Sequence, residues 1–258
     1  ILSGRASQIV NKVLTLMETL EKMKLAKTLL KDKTFLANGE LIARMTISFP
    51  DLFEQIKHLV DIGFTSVHWQ LDAGFYKCDF DKEKFSEFVE EYNKSVSELI
   101  EFWIEDMKEN KRVLMFYPFV GIVESLLSGE KTKMKCGAGH SGYAICTDGK
   151  IVACPIMNCV KEFECGDLDS SVGELKEIDV SGRCDKCDIR DLCGGRCLYW
   201  NKAGLWPEEG DDLICKTIKY YIWELKRRMN EIKELIDKGA IKESDFSYEK
   251  YFGPEIIP

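Results

Sequence analysis

Ten of the eleven cysteines in this 258-residue chain fall after residue 135, at positions 136, 146, 154, 159, 165, 184, 187, 193, 197 and 215, and only Cys78 stands apart. In a reducing compartment disulfides are disfavoured, so close cysteine pairs point to metal or cluster ligation. The distribution therefore splits the chain into a specialised C-terminal module and an N-terminal part that must build a hydrophobic core. A content of 45% hydrophobic residues is enough for such a core.

Within the module the tightest run is Cys184-x2-Cys187-x5-Cys193-x3-Cys197, followed by Cys215. A C-x2-C turn brings two thiolates to one centre without strain, and two more ligands complete a four-iron site. Gly194 and Gly195 lie between the last pair. Lacking Cβ atoms, they let backbone amides approach inorganic sulfide. The same spacing also serves a pair of structural zinc sites with four thiolates each. Spacing alone leaves both open.

Before residue 130 the hydrophobic pattern is that of an α/β chain. Ile9, Val13, Leu16, Leu20, Met23 and Leu30 recur at helical spacing and predict an amphipathic helix from Ser7 to about Lys31. Leu41 to Ser48 reads as a strand, Asp51 to Ile62 as a helix, and Phe64 to Leu71 as a second strand. A long helix over about Lys82 to Glu109, a third strand from Arg112 to Phe119 and a short helix over Gly121 to Leu127 complete this part. Such alternation favours a parallel sheet with helices outside. Arg44, Thr46 and Ser48 share one face of the first strand, and Ser66, His68 and Gln70 one face of the second. Pooled, they form either the solvated face of an edge strand or a polar barrel lumen. Beyond residue 135, Asp148-Gly149 predicts a two-residue type I′ hairpin turn between Gly142–Thr147 and Lys150–Cys154. Asp211-Asp212 is expected to open a long helix that Gly239 ends, which puts Cys215 in its first turn and leaves an irregular tail.

Taken together, these pieces resemble the SPASM extension of radical S-adenosylmethionine (SAM) enzymes over residues 136–215. In that family a cysteine precedes a hairpin, a G-x4-C closes it, and a C-x2-C-x5-C-x3-C run is followed by one distant cysteine. Here they are Cys136, Gly149-x4-Cys154, the run from Cys184 to Cys197, and Cys215. The resemblance implies two interleaved 4Fe-4S clusters. Cys184, Cys187, Cys193 and Cys215 would hold one, while Cys197 crosses back to join Cys136 and Cys154 on the other. Relatives often place a further ligand six residues after the first cysteine, where this chain has Gly142. Cys159 is the leading substitute, followed by Cys165 and His140, or the iron is left open to substrate. A two-residue turn would pair 146 with 151 and 143 with 154, sending Cys146 and Cys154 to opposite faces, so Cys146 is assigned to the core. Cys78 is read as structural.

The same resemblance implies a preceding radical SAM domain, a partial (β/α)6 TIM-like barrel with a C-x3-C-x2-C loop. That motif does not occur in this chain. The expectation is that residues 1–130 are the second half of the barrel, 131–240 the SPASM domain and 241–258 a C-terminal tail, with the first half upstream of Ile1 and this chain inactive alone. Arg44 and Gln70, with Thr46, Ser48 and His68, would then line the barrel near SAM or substrate. The complete enzyme would bind SAM and a third 4Fe-4S cluster, take electrons from ferredoxin or flavodoxin, and modify a peptide or protein side chain by 5′-deoxyadenosyl radical chemistry. The sulfatase-maturing branch carries an Asp directly after the G-x4-C cysteine, and Pro155 stands there instead. The competing reading is a non-catalytic iron-sulfur electron carrier or a zinc-stabilised binding module.

A net charge of −8 and a pI near 5.2 argue against nucleic-acid or anionic-membrane partners, which need a concentrated basic field. No apolar run reaches the ~18 residues of a membrane span. The expected location is the cytoplasm.

Overall fold

Two strand–helix units and a third short strand organise the N-terminal part of the computed structural model, which describes residues 21–71, 80–158, 160–204 and 206–250. Residues 7–20 of the expected first helix, Cys78, Cys159 and residues 251–258 lie outside that set. Residues 21–29 are helical, as the periodicity requires. A separate short helix α1 (Lys33–Asn38) follows, started by Asp32, whose carboxylate accepts from the amides of Thr34 and Phe35 at 2.9 and 3.0 Å. Then come β1 (Ile42–Ile47), α2 (Leu52–Ile62), β2 (Ser66–Leu71) and α3 (Lys82–Asn110).

The third strand is much shorter than its pattern predicts. β3 is only Met115–Phe116, and α4 (Tyr117–Ser128) takes over at once. Pro118 lies in the first turn of that helix, where its missing N–H leaves no bond unmade and its fixed φ is already helical. The sheet runs β1-β2-β3, all parallel, with Arg44 opposite His68 and Thr46 opposite Gln70. The two polar rows are therefore pooled on one face. Arg44, Thr46 and Ser48 are exposed, Gln70 is half-buried, and Ser66 and His68 are buried. At its edge Glu40 accepts hydrogen bonds from Ser66 Oγ and, at 2.7 Å, from Tyr117 Oη. The opposite face supplies Val67 and Trp69 to the core.

In α3, Phe85, Val89, Tyr92, Val96, Leu99, Trp103 and Met107 recur every three or four residues and are buried. They meet an equivalent stripe of Ile214, Ile218, Ile222, Leu225 and Ile232 on α7 (Glu208–Asp237), so one hydrophobic core joins residues from both sides of position 130. α7 starts earlier than expected. Pro207 precedes it, and Glu208, Glu209 and Asp211 fill its first turn, where acidic groups complement the helix dipole. Cys215 thus lies about two turns in. The tail is also more ordered than its sequence suggests, because residues 243–246 form a helical turn that buries Phe246 edge-on against Trp103, centroids 6.0 Å apart.

Arg228 on α7 clamps the two long helices by hydrogen bonds to Glu101 of α3 and Glu231 of its own helix. Those bonds hold both carboxyls below the ordinary value of 4.5. A carboxyl whose folded pKa is depressed contributes stability that is present above the unfolded value and is lost as pH falls through the folded one. Arg228→Gln should therefore lower the urea midpoint at pH 7, and the difference from the parent chain should shrink as pH falls below 4.5.

The cysteine-rich part has its own antiparallel sheet, β4 (Ala144–Ile145), β5 (Lys150–Val152) and β6 (Glu164–Asp167). Its hairpin differs from the expectation. Ala144 pairs with Val152 and Ile145 with Ile151, and the Cys146 amide donates to the Lys150 carbonyl at 2.8 Å. A type I′ turn needs two residues at positive φ, but here Gly149 alone (φ +82°) has one. The loop is a three-residue turn, and the register moves by one. Regular pairing would then put Cys146 and Cys154 on the same face, so the reason given for separating them does not hold. Among the described residues no helix is long and apolar enough to cross a membrane.

Candidate metal centre

Short irregular segments carry the cysteines, each held by a local turn. Cys136 lies within the Met134–Gly137 turn, closed by the Gly137 amide on the Met134 carbonyl at 2.9 Å. Cys154 and Cys197 are both extended residues (φ −161° and −152°) that start a helical turn, the latter opening α6 (Leu198–Ala203). Cys184 and Cys187 are joined by the expected C-x2-C turn, the Cys187 amide reaching the Cys184 carbonyl at 3.3 Å. Cys193 ends α5 (Arg190–Cys193), where Gly194 takes the left-handed conformation at φ +67°.

Two sets of these thiols lie within electrostatic reach of one another. The Cys136 thiol feels Cys154 and Cys197, and Cys154 feels Cys197. Separately, Cys193 feels Cys215, Cys184 and Cys187, and Cys215 feels Cys184 and Cys187. A cavity of about 240 Å³ is lined by Cys184, Cys187, Cys193, Cys197 and Cys215. That is several times the ~30 Å³ of a water molecule, so it has room for far more than a single ion. Among the described residues no three His, Cys, Asp or Glu side chains close on an ion-sized point. A tetrahedral zinc with Zn–S bonds of ~2.3 Å would need sulfurs about 3.8 Å apart. No disulfide joins any of the nine described cysteines.

Burial is the main force on these thiols. It raises Cys136, Cys154, Cys184 and Cys215 above the ordinary 9.0 and pushes Cys193 up to about 12. Opposing it, the backbone amide two residues on draws three of them back down: Ala138 for Cys136, Ile156 for Cys154 and Gly195 for Cys193. Donors of this kind favour thiolate and are suited to a cation the folded chain alone lacks. Three cations flank the second group, each tied to aspartate: Arg183 to Asp211 and Asp212, Arg190 to Asp179 and Asp185, and Lys219 to Asp188. A fourth, Arg196, lines the cavity and feels cysteines of both sets, Cys197 on one side and Cys193 and Cys215 on the other.

The other candidates stand apart. Both ring nitrogens of His140 are engaged within its own loop, Nε2 at 3.0 Å from the Met134 carbonyl and Nδ1 at 2.7 Å from Ser141 Oγ. Cys165 is buried in the small core under the hairpin, its thiol 3.6 Å from the Phe163 carbonyl. Cys146 is half-buried and is not among the charges that shift Cys136 or Cys154. Cys159 lies outside the described residues. Arg44 and Gln70 belong to the sheet face described above, not to the cysteine cavity. Sequence reasoning missed Glu40 and Tyr117, whose partners are distant in the chain, and Arg196. Arg196 alone had a signal, as a cation placed between two expected ligands.

No family model matches the chain. Among curated proteins it is similar to a cysteine-type anaerobic sulfatase-maturating enzyme of Clostridium perfringens, 27% identical over 133 residues, which take in 45% of this chain and 34% of that enzyme. Among solved structures it is similar to native anSMEcpe with bound AdoMet and Cp18Cys peptide, with a TM-score of 0.50 and 18% identity over 78% of this chain and 60% of that one. Native anSMEcpe with bound AdoMet is similar at a TM-score of 0.48 and 16% identity, over 75% and 58% of the two chains. The chain thus spans about a third of the curated relative and under two thirds of the solved ones. These relatives are radical SAM/SPASM enzymes, so the resemblance read from the cysteine spacing is the one that the comparisons return, over part of the chain.

Proposed function

We propose that this chain is the auxiliary-cluster portion of a radical SAM/SPASM enzyme that modifies a peptide or protein side chain. Cys184, Cys187, Cys193 and Cys215 would hold one 4Fe-4S cluster. Cys197, Cys136 and Cys154 would hold the other, with Cys159 the leading fourth ligand. On this reading residues 1–130 are the second half of the SAM barrel, 131–240 the SPASM domain and 241–258 a tail, and Arg44 and Gln70 face SAM or substrate. The observation that supports the reading is that seven scattered cysteines lie within electrostatic reach of one another in two sets, the same sets that the resemblance implies. The cavity also fits the group, since a cluster is larger than a single ion and takes spread thiolates.

The clusters would supply redox capacity or an iron site for substrate, and the chain's own task is to hold and tune them. A peptide as substrate follows from the resemblance, and the Cp18Cys peptide bound to one solved relative is of that class. Pro155 opens a helical turn directly after Cys154, so no carboxylate stands at that position. The peptide acted on is therefore proposed to differ from the sulfatase substrate. A ferredoxin or flavodoxin would be the reductant, in the cytoplasm.

Anaerobic reconstitution with iron and sulfide tests the reading. A brown chain with about eight irons is the expected result. Tightly bound zinc in the same sites, with no charge-transfer absorption, would overturn it in favour of a zinc-stabilised module.

A further inference from the structure

Past Cys215, α7 turns a basic face to solvent in a chain whose net charge is −8. Lys216, Lys219, Trp223, Lys226, Asn230 and Lys233 follow one another at steps of three and four residues, which puts them in one line along the helix. Lys219 is half-buried and the other five are exposed, Trp223 by 50%. No acid interrupts the line, and the acids beside it answer to other cations, Asp212 to Arg183, Glu224 to Arg227 and Glu234 to Lys238. Of the four lysines, only Lys219 is in an ion pair among the described residues. Lys226 holds its ammonium 4.8 Å from the centre of the Trp223 ring, a cation–π contact that keeps charge and indole side by side.

The near end of this line adjoins the second set of cysteines. Lys216 follows Cys215 directly, and Lys219 lines the cavity of about 240 Å³ together with Cys184, Cys187 and Cys215. The Lys219 ammonium meets Asp188 Oδ1 at 2.6 Å, and the same oxygen lies 3.8 Å from Cys187 Sγ. Trp223 is eight residues beyond Cys215, about 12 Å along the helix at 1.5 Å per residue. A partner seated on Lys219 and Trp223 is thereby brought next to these sulfurs. Lysines without acidic partners around an exposed indole fit an acidic protein surface, with opposite charge for steering and tryptophan for an anchor. A single line of charge is not the concentrated field that nucleic acid or an anionic membrane needs.

We propose that this face of α7 docks a small acidic one-electron carrier protein of the ferredoxin or flavodoxin type, with Trp223 as its apolar anchor, and that reducing electrons enter at the second centre. This rests on the two-cluster reading above. One electron leaves the reduced carrier and enters the cluster. No bond is made or broken and no proton moves.

Lys216→Glu combined with Lys226→Glu reverses two exposed charges and alters no cysteine. Reconstituted anaerobically, this variant is expected to hold as much iron as the native chain and to be reduced by dithionite at the native rate. Its reduction by reduced ferredoxin, followed by stopped-flow absorbance at low ionic strength, should be slower by about tenfold. The difference should close toward 1 M salt, where the Debye length is only about 3 Å. Trp223→Ala should slow the same reaction at every salt concentration, because it removes contact area and not charge. Carrier rates equal to native in both variants would overturn the docking face and leave the clusters standing, as would a native chain that holds iron but accepts electrons from dithionite alone. A native chain without iron would overturn both readings. Sedimentation of the native chain with phosphatidylserine vesicles at about 0.15 M salt, lost in the charge-reversed variant, would overturn the carrier in favour of a membrane.

Discussion

Serine in place of Cys197 is expected to cut the iron content of the reconstituted chain from about eight to about four, leaving the spectrum of one 4Fe-4S centre. The reason is its company. Cys197 lines the cavity of the second group, yet its thiol is among the charges that shift Cys136 and Cys154. Cys187→Ser should remove the other set of about four irons, because Cys187 is felt only on the side of Cys184, Cys193 and Cys215. Cys146→Ser should leave both sets in place. If the Cys197 and Cys187 variants lose the same iron, the two groups are one centre and the crossing is wrong.

Gly194→Ala is the substitution outside the ligands with the largest expected effect. Gly194 has φ +67°, which costs an alanine about 1–2 kcal/mol. A Cβ built there would also lie 1.9 Å from the Lys133 carbonyl oxygen, which is backbone and cannot swing aside. With overpacking of ~1–3 kcal/mol added, the loss should be about 2–5 kcal/mol in urea unfolding. The strain falls between Cys193 and Cys197, so iron uptake should drop at both centres. A variant of native stability would mean that the 133–134 segment can retreat from the glycine pair.

What the sequence made legible was whatever depends on local periodicity. The core stripe of α3, the parallel order of β1 and β2 and the pooling of Arg44 with His68 all follow from spacings of two, three and four residues. The cysteine run was visible in the same way, but its division into two sets came from the family resemblance and not from spacing. The hairpin register was not legible, because Asp148-Gly149 is compatible with more than one turn and the φ of Asp148 decides between them. β3 was overread because a strand-like apolar run gave no weight to Pro118 as a helix starter. The C-terminal segment looked irregular because Phe246 owes its burial to Trp103, more than a hundred residues away. Arg196 lines the same cavity as Cys215, nineteen residues further on, which only the folded chain brings to it.

The helix that contributes Cys215 runs without a break to Asp237, about 45 Å at 1.5 Å per residue, and its far half is fastened to α3 by Arg228. A rigid rod anchored at both ends transmits tilt. Any shift at the inorganic end when metal enters or leaves should register as altered amide exchange beside Glu101, at a place no sulfur touches.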